Sequence, residues 1–359
     1  MILLSKLIEL FSDELHQQYG NLLLPGHKKA LQAMRTCRTE ESPVFLARCS
    51  GCGTHATFPH SCGHRNCPHC QHHDSQRWLE RQREKLLPVE YFMVTFTVPA
   101  QLRSLLWHHQ RTGYDLLLKL GWQTLQSFGL NDKRLQGQIG AYAMLHTHSR
   151  PLDFHPHGHF IVPAGALDPK QRLWRRKKGK YLFRQGNLAK VFRAKWLQAM
   201  KEQGIKVKAT LPDDWVAHCK HVGAGEKALT YLGKYLYRGV LQEKNIVSCN
   251  DGMVTFRYTE NTGEVTTRTL AGADFLLLLL QHVLPRGFRR TRTYGFLHSN
   301  CKKLIRLLQY LFRCRLQPPE KDSKKPAIVC KSCGRPMHII ATRLAPIPMG
   351  QPEGTPLGS

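Results

Sequence analysis

A chain of 359 residues with 42% hydrophobic residues can bury one large or two ordinary cores, which excludes a disordered polypeptide. Its 53 lysines and arginines against 25 acidic residues leave a formal charge of +28, which demands a polyanionic partner, nucleic acid first. The longest apolar run, Phe275 to Leu280, falls far short of the ~20 residues that span a bilayer, which excludes a transmembrane helix.

From the start of the chain, Leu4, Leu7, Ile8 and Phe11 share one helical face and Asp13 and Glu14 follow, so the first residues read as an amphipathic helix and not as a secretion signal. The twelve cysteines include close pairs beside His, Gly and Arg, a pattern of metal ligation in a reducing cytoplasm. Cys49-Ser-Gly-Cys52 and Cys67-Pro-His-Cys70 are two C-x-x-C knuckles fourteen residues apart, the spacing of a four-cysteine zinc site. Cys62, His64, His69 and His72 crowd the same stretch, and Cys37 stands apart. A closed set of thiolates leaves no open position for chemistry, so Zn2+ here is expected to shape a binding module, with Arg65, Arg77, Arg81 and Arg83 as phosphate contacts.

A polar, helix-prone connector over 75–86 stops at Pro88, and the aromatic and β-branched run Tyr91 to Val98 predicts a strand. Further strands are expected at Ile139 to His146, His157 to Val162, Trp215 to His221, Met253 to Tyr258 and Val265 to Leu270. Helical patterns cover Leu102 to Phe128, Leu188 to Gln203, Glu226 to Tyr237, Ala273 to Leu284 and Cys301 to Arg313. This alternation predicts an α+β fold, with a front segment 1–88, a central region 89–315 and a basic, Pro/Gly-rich tail 316–359. The tail is expected to be loosely ordered apart from a turn at Cys330-Lys-Ser-Cys333, a lone knuckle that His338 could join in a second zinc site.

Two constellations carry chemistry. In His155-Pro-His157-Gly-His159-Phe-Ile-Val, strand alternation puts His157 and His159 on one face, where two imidazoles can hold one divalent cation. His146 and His148, at the end of the preceding strand, are candidates for a third ligand. In Glu226-Lys-Ala-Leu-Thr-Tyr231-Leu-Gly-Lys234-Tyr235-Leu-Tyr-Arg238, helical spacing puts Tyr231 and Tyr235 on one face. A phenol of pKa about 10 needs a cation or a metal-polarised phosphate to act as a nucleophile, and Lys234 and Arg238 lie close by. The run Arg172, Arg175, Arg176, Lys177, Lys178 and Lys180 reads as a basic loop that tracks a strand, and Arg286, Arg289, Arg290 and Arg292 form a second patch.

The sequence resembles the two-tyrosine transposases of rolling-circle insertion sequences, within the HUH endonuclease superfamily. The likeness rests on Cys37-Arg-Thr, Ser61-Cys-Gly-His-Arg-Asn-Cys-Pro-His-Cys70, Phe96-Thr-Val-Pro99, Leu145-His-Thr running into His155-Pro-His-Gly-His159, Tyr231-Leu-Gly-Lys-Tyr235 and His282-Val-Leu-Pro-Arg-Gly-Phe288, in that order. It implies a zinc-ribbon-like domain ahead of a ferredoxin-like antiparallel sheet, and a bacterial, nucleoid-associated location. It also implies that His157 and His159 bind Mg2+ or Mn2+, that Tyr231 and Tyr235 are alternating nucleophiles, and that single-stranded DNA at transposon ends and target is the partner. The third metal ligand stays open among His146, His148, His155 and Glu226. Gly158 departs from the hydrophobic residue usual between the two histidines, which should loosen the strand by up to ~1 kcal/mol. A plasmid replication initiator or relaxase shares the same chemistry, and a non-catalytic, zinc-dependent nucleic-acid-binding protein is the reading of a different class.

Overall fold

The computed structural model describes residues 2–70, 72–168, 170–179, 181–205, 210–225, 227, 233, 240–260, 262–314 and 328–344, with the side chains of 72–77 set aside. In chain order the elements are α1 (Leu4–Tyr19), α2 (Pro25–Arg35), β1 (Val44–Cys49), β2 (His55–Pro59), α3 (His72–Arg83), β3 (Glu90–Thr97), α4 (Arg103–His108) and α5 (Gln110–Asn131). Next come β4 (Gly140–His148), β5 (Phe154–Pro163), β6 (Gly165–Asp168), β7 (Leu173–Arg176), α6 (Gln185–Glu202) and β8 (Val216–Ala224). The chain continues with β9 (Ile246–Asn250), β10 (Met253–Thr259), β11 (Val265–Ala271), α7 (Gly272–Leu280), β12 (Thr291–Gly295), α8 (Lys302–Leu311), β13 (Ile328–Val329) and β14 (Pro336–Leu344).

The expected α+β architecture is present. Five strands form a central sheet in the order β12-β4-β5-β3-β8, every neighbouring pair antiparallel. The chain passes from β3 to β4 through α4 and α5, and from β5 to β8 through the β6–β7 hairpin and α6. Alternation in β5 decides which face is dry: Pro156, Gly158, Phe160 and Val162 are buried, whereas His157 and His159 point the other way and are only half-buried. The dry face packs under α5 and α6, where Phe92, Val94 and Phe96 of β3 meet Leu117, Leu118, Phe192 and Trp196. The Phe96 ring lies 4.7 Å from Phe192 and 5.7 Å from Phe160.

The glycine between the histidines has a local explanation. A Cβ at Gly158 would meet the Phe160 ring at 3.1 Å, so that ring occupies the space a larger residue would fill. The ring fits because α5 presents Gly121, where a Cβ would lie 2.6 Å from Phe160 and 3.1 Å from Phe96. Gly121→Val should therefore displace the strand that carries the histidines and destabilise the fold by roughly 1–3 kcal/mol, as overpacked cores do. Urea denaturation measures this, and an unchanged midpoint would contradict the packing argument.

A second core joins the front of the chain to its later part. Leu7, Ile8, Phe11 and Leu15 of α1 pack with Phe256 of β10 and with Phe275, Leu276 and Leu279 of α7. The buried carboxylate of Glu243 ties this together, accepting from the Leu4 amide at 2.8 Å and lying 3.0 Å from His69 Nε2.

Two expectations are corrected here. Residues 328–344, read from sequence as part of a loose tail, supply β13 and β14, and β14 pairs antiparallel with β1 to give a four-stranded sheet β13-β14-β1-β2. The basic run after the histidine strand is not a loop throughout, because Leu173–Arg176 pairs with Gly165–Asp168 as a hairpin. The stretch holding Tyr231, Lys234, Tyr235 and Arg238, and the remainder of the tail, lie outside the described residues.

Candidate active site and metal centres

Register brings three imidazoles together on the open face of the central sheet. His146 of β4 lies directly opposite His157 of β5, and on the other side of β5 Thr95 lies opposite His159. One nitrogen from each of His146, His157 and His159 falls within 4.8 Å of the others, with ring centroids 4.5 to 5.3 Å apart. Backbone and hydroxyl partners fix two of the rings. His157 Nδ1 donates to its neighbour's carbonyl, His155 O, at 2.7 Å, which leaves Nε2 as the lone-pair nitrogen, and Thr95 Oγ1 holds His159 Nδ1 at 2.8 Å.

His148 is left out. Past a register shift between His146 and His148, the His148 ring stacks 5.9 Å from His146 and meets the His282 ring edge-on at 5.3 Å, outside the group. His155 is also outside the group, its Nδ1 accepting from Arg103 at 2.8 Å.

Burial holds these rings in the neutral form that a metal requires. Desolvation lowers the pKa of His146 and His159 well below the usual imidazole range, with neighbouring histidines and Arg290 adding to the effect, and lowers that of His157 to about 4. His282 is pushed down to about 4 in the same way, as is the buried His27 of α2. In the unfolded chain each would take up a proton near pH 6.5, so folded-state stability is full above that pH and drains as pH falls toward about 4. The metal-free protein should melt on the order of 10 °C lower at pH 5 than at pH 7 in a thermal scan, and a flat profile over that range would refute the assignment.

The triad forms one wall of a cleft of about 1540 Å3, which Lys220, Arg257 and Arg290 line as well. The donor set of three neutral, oriented imidazoles suits a divalent cation, and the basic lining suits a phosphate backbone. Val240 and Leu241 also line the cleft, as do Lys220 and His221 of β8. Both flanks of the tyrosine stretch therefore border this space.

The four cysteines expected to share one ion, Cys49, Cys52, Cys67 and Cys70, do not meet. Cys67 and Cys70 join Cys37 and Cys62, and Cys49 and Cys52 join Cys330 and Cys333. In the first group Sγ of Cys37 lies 3.3 Å from that of Cys70 and 3.5 Å from that of Cys67, and Cys62 lies 3.5 Å from Cys70. The thiols compete for one another's protons: hydrogen bonds from Cys62 and Cys67 hold Cys37 down to about 2, while sharing with Cys37 pushes Cys62 up to about 12 and Cys67 higher still. Crowded thiols cannot all ionise by themselves, and a divalent cation at their centre would relieve that repulsion. His338 belongs to neither group.

Three cations read as DNA contacts have other partners. Arg65 donates to Phe288 O at 2.9 Å and the neighbouring Asn66 donates to His282 O at 3.2 Å, so the Cys-Gly-His-Arg-Asn-Cys stretch docks onto the His282–Phe288 segment. His282 is itself pinned between Thr147 Oγ1 at 3.2 Å and Leu152 O at 2.8 Å. Arg175 pairs with Asp168 at 2.7 Å and Lys177 with Asp132, whereas Arg176 and Lys178 of the same run are exposed.

Residues 7–98 match the family described as "Transposase zinc-binding domain" and residues 140–304 the family described as "Putative transposase", which defines the class as transposases with a zinc-binding front. The chain is 29% identical over 326 residues to "Putative transposase y4qJ" of Sinorhizobium fredii (strain NBRC 101917 / NGR234), covering 84% of this chain and 81% of that protein. It is 27% identical over 283 residues to "Transposase for insertion sequence element IS801" of Pseudomonas savastanoi pv. phaseolicola, covering 68% of this chain and 65%, just under two thirds, of that protein. The chain belongs to this family of insertion-sequence transposases. No solved structure matches it. Among the described residues no helix is long and apolar enough to cross a membrane.

Proposed function

We propose that this transposase cuts and rejoins single-stranded DNA at element ends through 5′-phosphotyrosine linkages, with Tyr231 and Tyr235 as nucleophiles. The observation that carries the reading is the meeting of His146, His157 and His159 on a basic cleft whose borders flank the tyrosine stretch. The strand order supports a ferredoxin-like HUH core, since β3-α5-β4-β5-α6-β8 runs β-α-β-β-α-β with β5 and β3 central, and β12 extends the β4 edge. In this reading the catalytic body is 89–315 and the front module 1–88, with 328–344 joined to it.

His146, His157 and His159 would hold Mg2+ or Mn2+, which when bound supplies neutralisation of the scissile phosphate. Arg290 adds positive charge to the same wall, its Nε anchored on Leu145 O at 3.0 Å. A tyrosine oxygen attacks phosphorus, the bond to the 3′-oxygen breaks, and the DNA is left with a free 3′-hydroxyl while the 5′-phosphate stays on the protein. Attack of a 3′-hydroxyl on that linkage restores the phosphodiester and returns the phenol, with no external energy source. Lys234 and Arg238, next to the phenols in sequence, and the exposed Arg176 and Lys178 serve phosphate contacts. The work is done at the DNA, in a bacterial cytoplasm.

Purified protein incubated with a single-stranded oligonucleotide carrying the element's end, and with Mn2+, should yield a denaturation-resistant adduct. Tyr231→Phe with Tyr235→Phe should abolish the adduct while leaving oligonucleotide binding intact. An adduct in the double variant would overturn the tyrosine assignment, and none in the parent protein would overturn the strand-transfer reading.

A further inference from the structure

We infer that Cys49, Cys52, Cys330 and Cys333 form a second four-thiolate zinc site, a clasp that joins the two ends of the chain into one module. This rests on thiol geometry and sheet packing, and is independent of the strand-transfer reading.

All four sulfurs lie within 4.8 Å of one another, with Cys49 Sγ 3.4 Å from Cys333 Sγ and Cys52 Sγ 3.6 Å from Cys330 Sγ. Tetrahedral zinc with Zn–S bonds of about 2.3 Å places its sulfurs roughly 3.8 Å apart, so the thiols already stand near ligand spacing. The two contributing turns match. Cys49-Ser-Gly-Cys52-Gly53 and Cys330-Lys-Ser-Cys333-Gly334 are both C-x-x-C-G, and their last glycines share a left-handed backbone, φ 72° and 71°. In the first turn the Gly51 amide donates to Cys49 Sγ at 3.3 Å, and in the second the Gly334 amide donates to Cys330 O at 2.9 Å.

A second observation shows why the module needs an ion. Among the described residues, the sheet β13-β14-β1-β2 has a core of only Ala47, Cys49, Cys330 and Met337, with Ala56, Phe58 and Ile328 partly buried against them. So little apolar burial cannot hold four strands drawn from segments nearly three hundred residues apart, and small sheets of this kind are stapled by a metal. The pairing is placed to be closed by one: Cys49 lies opposite Met337, and Ser50 bonds Pro336 O through both its amide, at 3.2 Å, and its hydroxyl, at 2.9 Å. The C-terminal strand is thus a structural part of the front module, and its order depends on metal.

The full chain, purified under reducing conditions, should carry about two zinc ions by elemental analysis. Cys330→Ser with Cys333→Ser should carry one, and should lose amide-exchange protection across 336–344 and 44–49 while α1 keeps its own. Cys333→His, which retains a zinc-competent ligand, should restore both the second ion and the protection, separating loss of ligation from general misfolding. Retention of two ions by the double serine variant would overturn the clasp. So would a single ion in the parent protein with Cys49, Cys52, Cys330 and Cys333 freely alkylated or joined as disulfides.

Discussion

Replacing His157 and His159 together by alanine should lower strand cleavage by at least about 10³-fold while leaving binding of the oligonucleotide close to that of the parent, because several kcal/mol of charge neutralisation at the phosphate would go with the metal. The two rings supply two of the three nitrogens of the group, and no other described His, Cys, Asp or Glu falls within it. His148 lines the same cleft beside His146 but lies outside the group, and His155 is engaged by Arg103. The substitution should be tolerated by the fold, since both side chains face the cleft rather than the core under α5. Single-turnover cleavage with Mn2+, together with calorimetric titration of Mn2+, checks it. Cleavage within tenfold of the parent, or undiminished Mn2+ binding, would remove these histidines from the centre. His146→Ala should behave likewise, and His148→Ala should not, which tests the register argument directly.

How much of this was legible in advance follows from the range over which each signal acts. Local periodicity marked β3, β5, β8, β10, β11 and the long helices, because alternation or a helical face is written in consecutive residues. The pairing of His157 with His159 was legible for the same reason. The choice of His146 over His148 was not, since both end one strand and the outcome turns on a register shift between them.

Cysteine grouping was the larger miss. Cys49, Cys52, Cys67 and Cys70 have a plausible zinc spacing, yet Cys37 and Cys330 decide the sets, and nothing local to either names its partners. A usable signal existed in the repeated C-x-x-C-G, which matches Cys49–Gly53 to Cys330–Gly334 and not to Cys67–Gln71. The second role of Arg65 was illegible for a related reason: its carbonyl acceptor belongs to Phe288, far along the chain, so its part in docking the front segment leaves no local trace. Strands β1 and β2 escaped notice because they are short and half-exposed, so their alternation is weak.

Cys37→Ser should have the largest effect on stability of any single substitution considered, with loss of one zinc ion and unfolding of the helical front module. Cys37 and Cys67 are 4% and 1% exposed, and both belong to the core that unites α1, α2, β10 and α7. A structural zinc site contributes on the order of 10 kcal/mol, comparable with the whole 5–15 kcal/mol that separates a folded domain from its unfolded state. Unlike a surface knuckle, this site stands where the first helices lean on the later ones, so its loss would loosen α7 as well. Far-ultraviolet circular dichroism and zinc content measure the outcome. Cys219→Ser is the control, because Cys219 is equally buried, in the core beneath α6, yet belongs to neither thiol group. If Cys37→Ser kept its full zinc and melted with the control, the Cys37, Cys62, Cys67 and Cys70 set would be wrong. The Asn66 and Arg65 bonds to His282 and Phe288 then link this prediction to catalysis. A front module that unfolds releases the segment leading to Arg290, so cleavage should fall even though no histidine of the centre has been touched.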